Sequence, residues 1–428
     1  MGLLTLLFGC LLLSYVTCGG TQPEQVHLSL TGNLNEMFVT WVTLSPVPAT
    51  PFVKYGSSQY TLDRTVIGVA SHFSDGGDQK IVRYVYRAKM RNLQPETEYF
   101  YKVGSTLGYS QIFSFKTFPS SNAPVRVCIF GDMGFEGGQF DDLINGVNKY
   151  YDMVIHIGDI AYDLDGKNGN TGDDFMRKIE PVASKIPYMV IPGNHEKWNN
   201  YNHYKHRFTM PDNGTPRKEG FFYSFDVGFV HFVGITNEFY AQKWTDYAQE
   251  QFHWLEQDLK KTQKPWIISL QHRPMYCSND RGNNDCENED NKAIRNGASG
   301  LPGLETPLSK NGVDLSFFGH MHSYERMWPV FRDKVYRDNQ SIDSQHNVMT
   351  PIHIVSGSGG TTHSPHTHQD DREDYSAIRS EAFGFTIVHV ENATTLHMRQ
   401  FATELRKDVD TLTLTKGPGY RPGKNLPY

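Results

Sequence analysis

Two different rhythms of apolar and polar residues divide the chain. From Gln25 to about Phe118 the apolar positions alternate with polar ones in short runs, Val26–Leu30, Met37–Val42, Ile81–Ala88, Glu98–Val103 and Gln111–Thr117, broken by turn residues. A period of two sends successive side chains to opposite faces of a strand. With no amphipathic helix among them, these runs predict an antiparallel β-sandwich over 23–118. Pro119 to Pro124 then reads as a linker, made of turn residues and free of large apolar groups. Beyond it the apolar runs end abruptly in Gly, Asp, Asn or His. Val125–Phe130 ends in Gly131-Asp132, Met153–Ile157 in Gly158-Asp159, and Tyr188–Ile191 in Pro192-Gly193-Asn194-His195. Trp266–Leu270 ends in Gln271-His272, and Leu315–Phe318 in Gly319-His320-Met321-His322. Helical stretches such as Phe140–Lys149 and Ala248–Lys261 separate several of these strands. The pattern predicts an α/β domain over 124–401, followed by a tail over 402–428, with its site beyond the carboxyl ends of the strands.

The first half has its own signature. The stretch from Leu93 through Pro95, Tyr99 and Tyr101 to Val103 resembles the tyrosine corner of fibronectin type III domains. Tyr99 and Tyr101 point inward there, with Trp41 filling the core, and this half carries no chemistry of its own.

At 428 residues the chain is too long for one ordinary core, and 38% hydrophobic residues supply ample apolar surface for two domains. The net charge of −6 is spread without long runs of one sign, which argues against nucleic-acid binding. Residues 1–20 hold no charge, an apolar run from Leu3 to Leu13 and small residues before Thr21, which reads as a signal peptide. No later segment approaches the apolar length of a membrane span. The triplets beginning at Asn213, Asn339 and Asn392 are glycosylation sequons and agree with export to a secretory or lysosomal address. Cys277 and Cys286 flank an eight-residue polar loop and should pair in an oxidising compartment, contributing roughly 2–3 kcal/mol. Cys128 lies within an apolar strand as a buried free thiol.

A single Gly-Asp after a strand is usually a turn or a helix cap. Five strand tips in order, each offering Asp, Asn, His or Tyr, are a different matter, because together they supply two coordination spheres of hard to borderline donors. GDMG at 131–134, GDIAY at 158–162, GNHE at 193–196, the lone His272 and GHMH at 319–322 resemble the calcineurin-like metallophosphoesterases, and within them the purple acid phosphatases. The resemblance covers nearly the whole chain. It implies a two-sheet α/β sandwich with helices on its outer faces, preceded by a fibronectin III-like β-sandwich, and an acid phosphatase in which metal-bound hydroxide attacks a phosphate monoester. It further implies that Asp132, Tyr162 and His322 hold ferric iron, that Asn194, His272 and His320 hold a divalent ion (Fe, Zn or Mn), and that Asp159 bridges the two. Tyr162 discriminates within the superfamily, because a hard anionic phenolate stabilises the ferric state. His320 and His322, two apart on extended backbone, face the same way and serve adjacent ions. The charge of the two ions exceeds that of two carboxylates, a phenolate and a hydroxide, which suits an anionic substrate, a small phosphate monoester or a phosphoprotein.

His195 resembles the family residue that contacts phosphate and protonates the leaving alcohol. One departure concerns specificity. Plant-type relatives carry a His pair shortly after the lone metal His, whereas the stretch from Cys277 to Cys286 has none. Arg281 binds the ester there, or the loop is shaped only by a disulfide. His363, His366 and His368 sit in a Ser/Thr/Pro setting that favours a solvated loop over a third metal site. Two other functions stay open on this reading: a phosphodiesterase or nucleotide pyrophosphatase on the same scaffold, and a binding protein with a dead site.

Overall fold

A computed structural model describes residues 20–428 apart from 48, 75–76, 213–214, 216–218, 280–284, 363–366, 369–372 and 425. The signal expected at 1–20 (Gly20 excepted), Asn213, Arg281, His363 and His366 therefore lie outside the described residues.

The amino-terminal half forms two antiparallel sheets. One runs Glu24–Leu30, Met37–Thr43, Val82–Met90, Val69–Ser74. The other runs Arg64–Ile67, Phe52–Gly56, Glu98–Ser105, Gly108–Tyr109, with Phe113–Lys116 also pairing to Glu98–Ser105. Trp41, Tyr99 and Tyr101 are buried between them. Tyr99 Oη accepts the Gln94 N–H at 3.0 Å, which fixes the corner. Tyr101 reaches farther than a sandwich core residue, donating its hydroxyl to the Ser184 carbonyl of the second half at 2.7 Å. The strands at 64–67 and 69–74 left little trace in the sequence pattern because they lie at sheet edges and expose most of their side chains.

The second half is built on two seven-stranded mixed sheets. In the first, Tyr188–Ile191, Met153–Ile157 and Val125–Phe130 run parallel, and Gly384–Val390 pairs antiparallel to Val125–Phe130. In the second, Val230–Gly234, Trp266–Leu270, Leu315–Phe318 and Ile352–Ser356 run parallel. Five of these strands are the ones that end in the sequence tips described above, and all five have the bounds read from the apolar runs. Helix Asn170–Ala183 buries Phe175, Met176, Ile179, Val182 and Ala183, a helical-period stripe, and Phe175 meets His156 of the first sheet. Helix Thr245–Lys261 does the same with Ala248, Trp254, Leu255 and Leu259. The helix expected over 140–149 stops at Gly146, where the ring of Tyr151 packs so close that no side chain would fit. The described residues of 402–428, expected as a tail, are part of this domain. Lys407–Thr415 pairs along its length with Thr395–Ala402, burying Asp410, Leu412 and Leu414. One continuous apolar core joins the sandwich to both sheets. Cys277 and Cys286 are bonded, with Cα atoms 5.2 Å apart, and Cys128 is buried and free.

One buried histidine ties helix 245–261 to the second sheet. His231 Nδ1 meets Asp226 Oδ1 at 2.7 Å and its Nε2 meets Asp258 Oδ2 at 2.8 Å. Ser224 donates to the other oxygen of Asp258. Burial opposes protonation of the ring, but the two carboxylates outweigh it and push the pKa up to about 9. A native pKa above the unfolded value gives stability that is complete below pH about 6.5 and is lost as pH rises toward 9, amounting to about 3 kcal/mol. The difference in melting temperature between wild type and His231→Gln should therefore be large at pH 5.5 and shrink by pH 9. A difference that does not change with pH would refute the imidazolium clamp.

Candidate metal centre

The residues at the five strand tips come together because glycines let the loops of the two sheets interlock. A Cβ on Gly158 would lie 2.4 Å from His272 Nδ1, and one on Gly193 would lie 2.3 Å from Asp159 Oδ1. Any other residue there would push a functional side chain out of place. Four of these side chains stand on left-handed backbone: Asp132 at φ 59°, Asp159 at 51°, Tyr162 at 45° and His320 at 69°. Strain of this kind costs of order 1–3 kcal/mol per residue and collects where function needs an unusual geometry.

Ligand atoms of Asp159, His272 and His320 all lie within 4.8 Å of one another, and so do those of Asp132, Asp159 and His322. Asp159 belongs to both groups. Tyr162 Oη joins the second, 3.1 Å from Asp132 Oδ1 and 2.6 Å from His322 Nε2. Asn194 joins the first, its Oδ1 3.2 Å from His272 Nε2. All seven residues expected to hold metal thus converge, none of them from the sandwich. The donors fit a cation in detail. His272 Nδ1 faces the Ile157 carbonyl at 2.9 Å, which turns Nε2 toward the other candidate ligands Asp159 and Asn194. His320 Nδ1 is buried and has no hydrogen-bond partner. Burial pushes the Asp132 pKa up to about 8, with Asp159 adding to the rise. Burial works against Asp159 as well, but His272 and the His195 N–H outweigh it and hold Asp159 below the ordinary carboxylate range. Burial and the two carboxylates raise Tyr162 well above an ordinary phenol. A cation among these groups reverses the sign of that last effect.

His195 sits at the mouth of the cluster, its ring 4.4 Å from that of Tyr162. Nδ1 meets Asp163 Oδ1 at 2.6 Å, and Nε2 lies 3.9 Å from Asp159 Oδ2. Burial disfavours the imidazolium, but Asp163 and Asp159 raise the pKa to about 9. Asp163 escaped the sequence reading, although its place beside a candidate ligand was a usable signal. Glu196 was read only as the last letter of its motif. Its carboxylate accepts the N–H groups of Asp159, Ile160 and Gly193 at 2.8–2.9 Å and so binds two ligand loops together. Two further residues carried no readable signal. The Thr361 N–H donates to the Asp132 carbonyl, and Arg273 lies between Glu238, at 2.8 Å, and His320, at 3.4 Å. His368 was expected on a solvated loop, but it forms a β-bridge to Asn279 of the disulfide loop.

Comparison with known proteins agrees with this architecture. Residues 23–117 match the model of the purple acid phosphatase N-terminal domain, 125–324 that of calcineurin-like phosphoesterases, and 350–411 that of the iron/zinc purple acid phosphatase-like protein C domain. The chain is 38% identical to acid phosphatase type 7 of Mus musculus, covering 93% of each protein. It is also 38% identical to acid phosphatase type 7 of Homo sapiens, covering 89% of this chain and 88% of the other. Its fold is similar to the solved purple acid phosphatase PPD1 from yellow lupin seeds, with a TM-score of 0.77 and 25% identity over 92% of this chain and 75% of that one.

Proposed function

Because the chain belongs to the purple acid phosphatases, whose family implies a dinuclear metal centre, we propose that it hydrolyses phosphate monoesters at a ferric and a divalent ion. In this reading Asp132, Asp159, Tyr162 and His322 hold the ferric ion, and Asp159, Asn194, His272 and His320 hold the divalent one. The observation that carries it is the shared carboxylate: Asp159 belongs to both groups of ligand atoms, and the phenol of Tyr162 lies beside Asp132 and His322 of one of them. If bound there, the two ions would supply Lewis acidity toward the phosphate and an activated water.

The protein's own groups do the rest. Glu196 fixes the loops of Asp159 and Asn194 against each other, so the two coordination spheres keep one spacing. The bond to Asp163 orients His195 with Nε2 toward the cluster, where it delivers a proton to the departing alkoxide. His195 is half-exposed at the mouth of the cluster, so a proton from it reaches an alcohol at the protein surface, where the size of the ester is weakly constrained. This suits small monoesters and phosphoproteins alike. The disulfide Cys277–Cys286 and the exposed sequon residue Asn339 support the secretory or lysosomal address proposed from residues 1–20.

Metal analysis of the purified protein together with rates on mono- and diester nitrophenyl phosphates tests the proposal. About one iron and one divalent ion per chain is expected, with the monoester cleaved faster. Faster diester cleavage would replace the monoesterase reading with a phosphodiesterase on the same scaffold. Absence of both metals would leave a binding protein.

A further inference from the structure

We propose that Arg83, a residue of the amino-terminal sandwich, is a positioning residue for the catalytic centre, acting through the loop 163–170. The proposal rests on the roles given above to Tyr162 and His195.

The loop leaves Tyr162 and Asp163 and ends where helix Asn170–Ala183 begins. Its far end is an unusual piece of backbone: Lys167, Asn168 and Gly169 follow one another at φ 54°, 58° and 82°. Two consecutive non-glycine residues in the left-handed region are unfavourable unless something holds them. What holds them is a pair of buried guanidinium groups. Arg83 Nη2 donates to the Asn168 carbonyl and Arg207 Nη2 to the Gly169 carbonyl, each at 2.9 Å. Both arginines converge on one carboxylate. Arg83 Nε lies 3.0 and 2.9 Å from the two oxygens of Asp173, and Arg207 Nη1 lies 2.7 Å from Oδ1. The three side chains are 0%, 1% and 2% exposed. Gly169 fits because it has no side chain: a Cβ there would lie 2.7 Å from Arg83 Cζ. The sandwich grips the loop a second time, where the Gln79 N–H donates to Asn168 Oδ1 at 3.3 Å.

From this anchor the backbone bonds run back to the site. The Thr171 N–H donates to the Gly166 carbonyl at 3.1 Å, Gly169 to Asp165 at 2.8 Å and Gly166 to Asp163 at 2.9 Å. Asp163 in turn orients His195, and Tyr162 precedes it. Hydrogen bonds joined by single peptide links therefore connect a guanidinium of one domain to the proton donor of the other. A buried ion pair seldom stabilises a fold more than apolar residues of the same volume would, so a role in positioning the loop is placed ahead of one in stability. Only arginine serves both contacts, because its planar fork reaches the carboxylate while a third donor reaches the carbonyl.

The test uses the full-length, metal-loaded protein and the variants R83M and R83K. Arg207 remains on Asp173 in both, so the carboxylate keeps a partner. R83K also keeps a cation from the sandwich, yet a lysine cannot reach Asp173 and Asn168 together. Amide hydrogen exchange over 163–170 should become faster in both variants than over the rest of the chain. Alkyl phosphate turnover should fall by roughly 10²-fold, the scale of a misplaced catalytic group, with a smaller fall on nitrophenyl phosphate. Unchanged exchange in this loop, or equal losses on both substrates accompanied only by a lower melting temperature, would overturn the proposal. His195→Ala measured in parallel separates the two ideas: if its loss does not depend on the leaving group, the proton-donor role falls, while the exchange data still judge Arg83. Should R83M fail to fold, R83K decides the question alone.

Discussion

Replacing His195 by alanine is expected to slow hydrolysis of an alkyl phosphate by roughly 10²–10⁴-fold, the usual worth of a positioned general acid, and to slow nitrophenyl phosphate far less. The asymmetry follows from the leaving groups. An alkoxide is strongly basic and must be protonated as the ester bond breaks, whereas a nitrophenolate departs without help. The donor proposed above is the ring that Asp163 holds at 2.6 Å and that lies against Tyr162. Because the His195 backbone N–H also bonds Asp159 at 2.9 Å, and the side-chain change leaves that bond in place, both ions should stay bound. Equal losses on the two substrates would make His195 a phosphate-binding group. Loss of metal would make its role structural.

Tyr162→Phe is expected to abolish visible colour altogether. Phenolate coordinated to ferric iron gives charge-transfer absorption, so the oxidised native protein should be pink to purple. Tyr162 is the single phenol among the seven converging residues, set between Asp132 and His322. The variant keeps the aromatic ring and its packing against His195 but has no oxygen to give. An absorption spectrum with metal content measured on the same sample decides the point. A colourless native protein with both metal positions filled would exclude ferric iron and leave a dinuclear phosphoesterase of divalent ions.

The catalytic half was unusually legible because its strands are buried on both faces. Val125–Phe130 and Leu315–Phe318 are nearly continuous apolar runs, and each stops at the residue where chemistry begins. The glycine before Asp132, Asp159, Asn194 and His320 was legible too, since the loops pass too close to one another there for a side chain. What escaped notice depends on contacts between distant segments. Asp163 and Glu196 are ordinary acidic residues until the fold sets them beside His195 and the Asp159 N–H. Arg83 was invisible as an interdomain anchor, because nothing in the local pattern of an alternating strand distinguishes an arginine facing solvent from one facing another domain. Lys407–Thr415 was missed as a strand of the core because its polar alternation resembles a surface segment, and pairing with Thr395–Ala402 supplies the burial.

The pairing of Val125–Phe130 between Met153–Ile157 and Gly384–Val390 has a consequence for biosynthesis. The strand that delivers Asp132 is among the first of its domain to be translated, but one of its two neighbours is among the last. Until that neighbour arrives, one edge of the strand has no partner for its backbone groups, and His320 and His322 have only recently left the ribosome. A nascent chain therefore cannot assemble either coordination sphere piecemeal. Both groups of ligand atoms draw on His320 or His322, so the metal centre is complete only once most of the domain has been made.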